Sequence, residues 1–197
     1  VIYETEPLFS GVKGVAAEHV SFADLSKITA LSTANNCLAV FEMLPRHDVD
    51  FSGLVVALDE IRDPGNLGTI IRLCDWFGIK QLVCSKGTAD VYNPKVIQAT
   101  MGSIARVAVS YADLPEFLST AQVPVFGTFM DGEDIYGMTL PKTGIIVMGN
   151  EANGISPEVE SLTTRRVSIP RFGDLQQTES LNVATAAAII LSEFKRR

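Results

Sequence analysis

Leu54-Val55-Val56-Ala57-Leu58-Asp59-Glu60-Ile61-Arg62-Asp63-Pro64-Gly65-Asn66-Leu67-Gly68-Thr69-Ile70-Ile71-Arg72 is the stretch whose reading decides the fold. Its first five residues are continuously apolar, the pattern of a strand buried on both faces. Leu67, Ile70, Ile71, Cys74 and Phe77 then recur at helical spacing until Gly78, which is suited to ending a helix. A Pro-Gly-Asn turn is therefore expected at the carboxyl end of a strand, the edge where open α/β sheets place their ligands. Arg72 falls away from the apolar stripe. Taken alone, that is how a solvated surface arginine looks.

The same alternation runs outward from this unit. Strands are expected at Gln81 to Ser85, Ile104 to Val109, Val123 to Met130, Gly144 to Met148 and Arg166 to Pro170. Helices are expected at Asn93 to Met101, Leu114 to Ala121, near Pro157 to Leu162, and from Ser180 to the end. Such alternation implies an α/β fold, a mostly parallel sheet with helices on both faces. Residues 1 to about 45 differ. Phe9, Val12, Val20 and Leu25 offer too little for an independent core, and Pro45 to Asp50 reads as a linker. This part is expected to be the remnant of something larger, and the first residue, Val1 rather than Met, fits a trimmed chain.

Two further segments carry chemistry. In Gly144-Ile145-Ile146-Val147-Met148-Gly149-Asn150-Glu151-Ala152-Asn153-Gly154-Ile155-Ser156-Pro157 a strand again ends in a glycine turn, now with an acid in it. Gly149 and Gly154 permit close backbone approach or positive φ, and Ser156-Pro157-Glu158 has the chemistry of a helix start. In Ser180-Leu181-Asn182-Val183-Ala184, two small polar residues open a helix that is almost wholly apolar and must be buried. Ser180 is placed to cap that helix and Asn182 to sit in its first turn, where free N–H groups meet the positive end of the dipole. On these residues alone, a plain N-cap with a satisfied polar neighbour is the better explanation of the segment.

In this order and with these letters, the three segments resemble the SpoU/TrmH family of RNA ribose 2′-O-methyltransferases, within the SPOUT superfamily. Asn66 through Arg72 is similar to its first motif, Gly149 through Gly154 to its second, and Ile169-Pro170 with Ser180-Leu181-Asn182 to its third. The resemblance spans roughly residues 53 to 197, and three separated motifs must coincide for it, unlike a lone glycine pattern. The chain departs from the family in a longer connection, Asp174 to Glu179, and in Arg171 where a methionine is common.

The resemblance implies an α/β trefoil knot at the carboxyl end of a catalytic domain over 46–197, a homodimer, and S-adenosylmethionine as cofactor. It also implies that residues 1–45 are the end of an RNA-binding domain. Cofactor contacts are implied at Met148, Gly149, Asn150, Gly154, Ile169, Pro170 and Leu181, largely through backbone. Arg72 becomes the candidate that activates the reactive hydroxyl; because a free guanidinium, with a pKa above about 12, is a poor base, its expected part is to bind the adjacent phosphate, acting on the hydroxyl only if the site shifts its protonation. Asn66, Ser180 and Asn182 would orient ribose and phosphate, and Glu151 would fix Arg72 or the second loop.

Composition fits an intracellular enzyme. With 197 residues and 47% apolar content the chain can bury a full core. No apolar run approaches the ~18 residues of a membrane span, and no signal peptide is visible. Cys37, Cys74 and Cys84 lack metal-ligand spacing and read as reduced thiols, and His19 and His47 stand far apart, so a metal site is not expected. The net charge of −7 runs against the basic footprint usual for nucleic-acid binders. The cations nonetheless cluster late, at Arg165-Arg166, Arg171 and Lys195-Arg196-Arg197, which suits either a solvated helix end or an RNA-facing patch. Neither Gly-x-Gly-x-x-Gly nor a P-loop pattern occurs. The alternatives are a non-catalytic RNA-binding relative of the same fold and a small-molecule α/β enzyme. The second needs another catalytic constellation, and none is visible.

Overall fold

A computed structural model describes residues 1–43, 48–173 and 180–196. The chain divides into two compact units, Val1–Pro45 and Arg46–Arg197. In the first, strands β1 (Ile2–Glu4), β2 (Ala17–His19) and β3 (Cys37–Ala39) form a sheet in the order β2-β1-β3, with helix α1 (Phe22–Ile28) between β2 and β3 in sequence. Ser21 caps α1, its hydroxyl accepting from the Asp24 N–H. Among the described residues of this unit Leu25 is the one fully buried apolar side chain, which leaves the sheet with very little core of its own.

The second unit is built from β4 (Leu54–Leu58), α2 (Pro64–Trp76), β5 (Gln81–Ser85), α3 (Pro94–Thr100), β6 (Ala108–Ala112) and α4 (Leu114–Ser119). It continues with β7 (Val125–Asp134), β8 (Gly144–Met148), α5 (Pro157–Glu160), β9 (Arg165–Ser168) and α6 (Val183–Lys195). The six strands lie in the order β6-β5-β4-β8-β7-β9 and every pair is parallel. The chain steps outward from β4 through β5 to β6, crosses to place β7 beyond a gap, and then fills that gap with β8. The order therefore reverses between β4 and β8, the point at which such sheets open a crevice at their carboxyl edge. Leu58 pairs with Met148, so Asp59 and Gly149 leave the sheet side by side.

Strict alternation sorts the core. Val56, Leu58, Ile146 and Met148 pack with α2, α3 and α6 on one face, whereas Val55, Ala57, Ile145 and Val147 pack with α4 and α5 on the other. No helix among the described residues is long and apolar enough to cross a membrane.

Several expectations shift. Pro64-Gly65-Asn66 is not a turn before α2 but its first turn: Asp63 accepts the Asn66 N–H at 2.7 Å, and Pro64 takes the position where a missing N–H costs nothing. Residues 104–107 are not strand. Gly102, at φ +85, starts a 3₁₀ turn over Ser103–Ala105, and Asp75 holds that turn through Ser103 (2.8 Å) and Arg106 (2.7 Å) before β6 begins at Ala108. Strand β7 runs on to Asp134 because it pairs with β9 twice, Thr128 and Glu133 both opposing Val167. The late helix starts three residues after Ser180. Its apolar circumference is largely covered within the chain, since Val183, Ala184, Ala187, Ile190, Leu191 and Phe194 are buried and the outward positions Thr185 and Ser192 are polar. The segment expected to carry the knot includes 174–179, which lie outside the described residues, as do His47 and Arg197.

Candidate active site

The carboxyl edge at the β4–β8 crossing holds a cleft of about 630 Å³ lined by Arg62, Asp63, Asn66, Asn150, Glu151, Ala152, Asn153 and Asn182. Three loops supply these residues, one from each of the segments singled out in the sequence.

The loop after β8 is the most constrained. Asn150 and Gly154 exchange backbone hydrogen bonds in both directions at 2.9 Å, closing a tight turn with Glu151 at its tip. Gly154 sits at φ +70, a left-handed conformation natural to glycine. Gly149 has no room for a side chain, because a Cβ there would lie 2.3 Å from the backbone of Gly154 and Ile155. The Asn150 amide ties this turn to its neighbour. Its Nδ2 donates to the Glu60 carbonyl at 2.7 Å, and its Oδ1 accepts from the N–H groups of Ala152 and Asn153. Asn150 is thus occupied in shaping the loop.

The loop after β4 is held with equal care. Glu60 adopts φ +56, uncommon for a residue with a side chain and costing on the order of 1–3 kcal/mol. Its N–H donates to Ser85 Oγ at 2.8 Å, its carbonyl accepts from Asn150, and its carboxylate pairs with Arg62 at 2.7 Å. Asp59 is buried and accepts both the N–H and the hydroxyl of Ser156, at 2.8 and 2.7 Å. That bond fixes the start of α5, and with it the far end of the 149–154 turn.

The third loop delivers Asn182. Its Oδ1 accepts the N–H groups of Ala184 and Thr185 at 3.0 and 3.2 Å, so Asn182, not Ser180, is the N-cap of α6. With Oδ1 committed, Nδ2 must face outward, and it donates to Asn66 Oδ1 at 3.0 Å. Asn66 in turn donates from Nδ2 to Glu151 Oε1 at 2.7 Å. The result is a directional chain from Asn182 to Asn66 to Glu151. Each amide orientation in it follows from the preceding one, starting at the helix cap and ending on a carboxylate that can only accept while ionised. The positive ends of two thirteen-residue helices, α2 and α6, converge here, which favours negative charge.

Not all of the expected set joins this chain. Glu151 bonds Asn66, not Arg72. Arg72 stands six residues beyond Asn66 on α2, about 9 Å along the helix axis, exposed and outside the residues lining the cleft. Ser180 is exposed two residues ahead of the cap. Met148 ends β8 and Gly149 follows it, Ile169 and Pro170 follow β9 half-buried, and Leu181 is exposed beside Asn182. Two members of the late basic cluster are already engaged within the chain. Arg166 is engaged by Asp131 at 2.6 Å, by Glu160, and by the Phe129 ring, whose centroid lies 3.6 Å from the guanidinium carbon. Arg196 pairs with Glu193 at 2.7 Å. Carboxylates near in space have absorbed these charges, in keeping with the acidic balance of the chain.

Sequence reasoning missed Asp59, Glu60, Arg62 and Asp63. Asp63-Pro64 carries a legible cap signature. Asp59 and Glu60 have none, because the bonds that fix their backbone and carboxyl in the site, to Ser85, Asn150 and Ser156, reach 25 to 97 residues away.

The chain matches the model of the SpoU rRNA Methylase family over residues 53–192. It is 32% identical over 186 residues to the 23S rRNA guanosine 2′-O-methyltransferase RlmP of Bacillus subtilis, covering 92% of this chain and 73% of RlmP. Among solved structures, a TrmH-family protein from Porphyromonas gingivalis superposes with a TM-score of 0.88 at 38% identity, over 99% of this chain and 81% of that one. An AdoMet-bound rRNA methyltransferase from Sinorhizobium meliloti does so at 0.84 and 29%, over 99% and 78%. The family match covers the sheet, all three loops of the cleft and most of α6, and so the chain belongs to the SpoU rRNA methylase family.

Proposed function

We propose that this protein transfers the methyl group of S-adenosylmethionine to a ribose 2′-hydroxyl of ribosomal RNA. The observation that carries the reading is the Asn182–Asn66–Glu151 chain, which draws the three family segments into one cleft at the sheet's switch point. Two of the named relatives, RlmP and the Sinorhizobium meliloti protein, are rRNA methyltransferases, the second solved with AdoMet bound.

When bound, S-adenosylmethionine supplies an activated methyl on a sulfonium leaving group. The residues present suit such a ligand. Strand-end backbone at Met148, Gly149, Ile169 and Pro170, the exposed Leu181 side chain and the narrow turn closed by Gly154 offer apolar contact and main-chain hydrogen bonds. The chain's own side chains then have to align the hydroxyl and manage its proton, because a ribose hydroxyl is a weak nucleophile. Asn66 and Asn182 present fixed amides at the edge of the cleft, and Glu151 locks their orientation. Arg72 makes no hydrogen bond or ion pair with the described residues, which leaves its guanidinium available for the phosphate beside the reacting ribose. Ser180, exposed two residues ahead of the α6 cap, would orient the ribose from outside the cleft lining. We further read the protein as a cytoplasmic homodimer. Trp76, 83% exposed at the end of α2, and Met101, 69% exposed just past α3, are the apolar side chains we assign to that contact.

The test is quantitative mapping of ribose methylation in total RNA with and without the gene. One or more rRNA positions should lose their 2′-O-methyl group on deletion and regain it with the wild-type gene but not with Asn66→Ala. An unchanged methylation map would refute the reading.

A further inference from the structure

At the same carboxyl edge of the sheet as the cleft, two stacked aromatic rings reach the surface, Tyr136 partly and Phe172 almost wholly exposed. Tyr136 and Phe172 are stacked with centroids 6.4 Å apart and planes at 28°. Phe172 is 82% exposed, so beyond its contact with Tyr136 the ring faces solvent. The two leave adjacent strands together. Asp134, at the end of β7, pairs with Ser168, at the end of β9, and Ile135 donates from its N–H to the Ser168 carbonyl at 3.0 Å. Tyr136 is firmly mounted. It belongs to a turn in which Ile135 is fully buried, the Tyr136 N–H donates to Asp134 Oδ1 at 2.9 Å and the Gly137 N–H to the Asp134 carbonyl at 3.1 Å. Phe172 follows Ile169-Pro170, the strand exit that belongs to the third family segment. Strand β9 is two strand spacings from β8, about 10 Å, which brings the ring pair within reach of a nucleotide next to one held in the cleft.

Charge makes this pair informative. An RNA ligand is ordinarily held through phosphate contacts, yet the chain is at −7, and Arg166 and Arg196 are occupied by carboxylates. Contacts that do not depend on charge then carry more weight in holding the RNA. Aromatic faces supply these, since every unpaired base has a π-face to stack. We propose that Tyr136 and Phe172 form a stacking platform for an unpaired nucleobase of the substrate RNA, beside the ribose to be methylated, with Tyr136 as the fixed base and Phe172 as the contacting ring. This rests on the ribose methyltransferase reading above.

The test uses the intact protein, labelled S-adenosylmethionine, and rRNA isolated from a strain lacking the gene. Phe172→Ala should raise KM for that rRNA by about 10-fold or more, with kcat and the Kd for S-adenosylmethionine unchanged. Phe172→Trp should restore KM, whereas Phe172→Leu, apolar but without a π-face, should not. In a Trp76→Phe background, the indole fluorescence of Phe172→Trp should be quenched by the rRNA. Full activity in Phe172→Leu, a weakened Kd for the cofactor, or a change in oligomeric state accompanying Phe172→Ala would each overturn the platform and assign the ring to apolar packing, the cofactor or a subunit contact. If the wild-type protein methylates no rRNA at all, the proposed activity falls and the platform with it. A platform failure instead leaves wild-type transfer intact.

Discussion

Asn182 donates from its side-chain amide to Asn66 Oδ1 at 3.0 Å, across 116 residues of chain, while the other end of the same amide caps helix α6. One side chain thus sets both where the last helix starts and which way the Asn66 amide points toward Glu151. The two roles can be separated by substitution. Asp is as good an N-cap as Asn, so Asn182→Asp should leave thermal unfolding nearly unchanged. It removes the Nδ2 donor, however, and should cut methyl transfer by on the order of 100-fold, the usual scale for losing a preorganised donor. Asn182→Ala should show the same loss of rate plus about 1 kcal/mol of stability. Steady-state kinetics beside thermal denaturation decide the matter, and normal turnover in Asn182→Asp would remove the amide from the mechanism.

Arg72 and Arg166 should behave oppositely. The exposed Arg72 guanidinium, without a partner among the described residues, predicts that Arg72→Ala lowers methyl transfer on the order of 100-fold while S-adenosylmethionine binding and melting temperature hold. Arg166 is bound to Asp131, Glu160 and Phe129. Arg166→Ala should therefore lower the melting temperature and leave the salt dependence of RNA binding as it is. A shallower salt slope in Arg166→Ala would return this residue to the RNA surface.

Gly149→Ala places a methyl group 2.3 Å from the main chain of Gly154 and Ile155. The turn must open to admit it, at a cost of about 1–3 kcal/mol, and calorimetric binding of S-adenosylmethionine should be lost. Gly154→Ala keeps the space but strains a left-handed residue by roughly 1–2 kcal/mol, so it should weaken cofactor binding less. The opposite ranking would show that the turn is not what shapes the cofactor site.

Burial pushes the Cys74 thiol up to about 12 and raises that of Cys84 as well, whereas Cys37 is only half-buried. The thiolate is the reactive form. At pH 8 the folded protein should accept one equivalent of an alkylating reagent, at Cys37, and three after denaturation. Mass spectrometry of the modified peptides reads this directly, and rapid labelling of Cys74 or Cys84 in the native protein would contradict the packing of α2 against β5.

The hydrogen bonds of Arg106 and Ser103, in that order, hold the Asp75 carboxyl below the ordinary carboxylate range. A depressed folded value contributes stability above the unfolded pKa, about 3.9, and that stability is lost as pH falls through the folded value. Asp75→Asn should accordingly melt earlier than wild type at neutral pH, and the gap should close in acid below the carboxylate range. A gap independent of pH would mean that Asp75 acts through packing alone.

Much of this molecule was legible from local chemistry. Leu54–Leu58 and Gly144–Met148 are unbroken apolar runs and Gln81–Ser85 has an apolar centre, all of strand length and bounded by turn residues as buried strands are, and the helical spacing from Leu67 to Phe77 ends where Gly78 takes a positive φ. These features depend on residues within one or two turns of each other, and their physics is contained in the segment. The three family segments were legible for the same reason, as letters at fixed spacing. What the segments do to one another was not. Whether Ser180 or Asn182 caps α6, whether Glu151 meets Arg72 or Asn66, and whether Arg166 faces RNA or Glu160 all depend on which loops the strand order brings together. That order places β8 beside β4, ninety residues apart in sequence at their first members, Leu54 and Gly144. A hydrogen bond or an ion pair acts over about 3 Å, and nothing in either partner's own neighbourhood specifies the other. Only the folded sheet does.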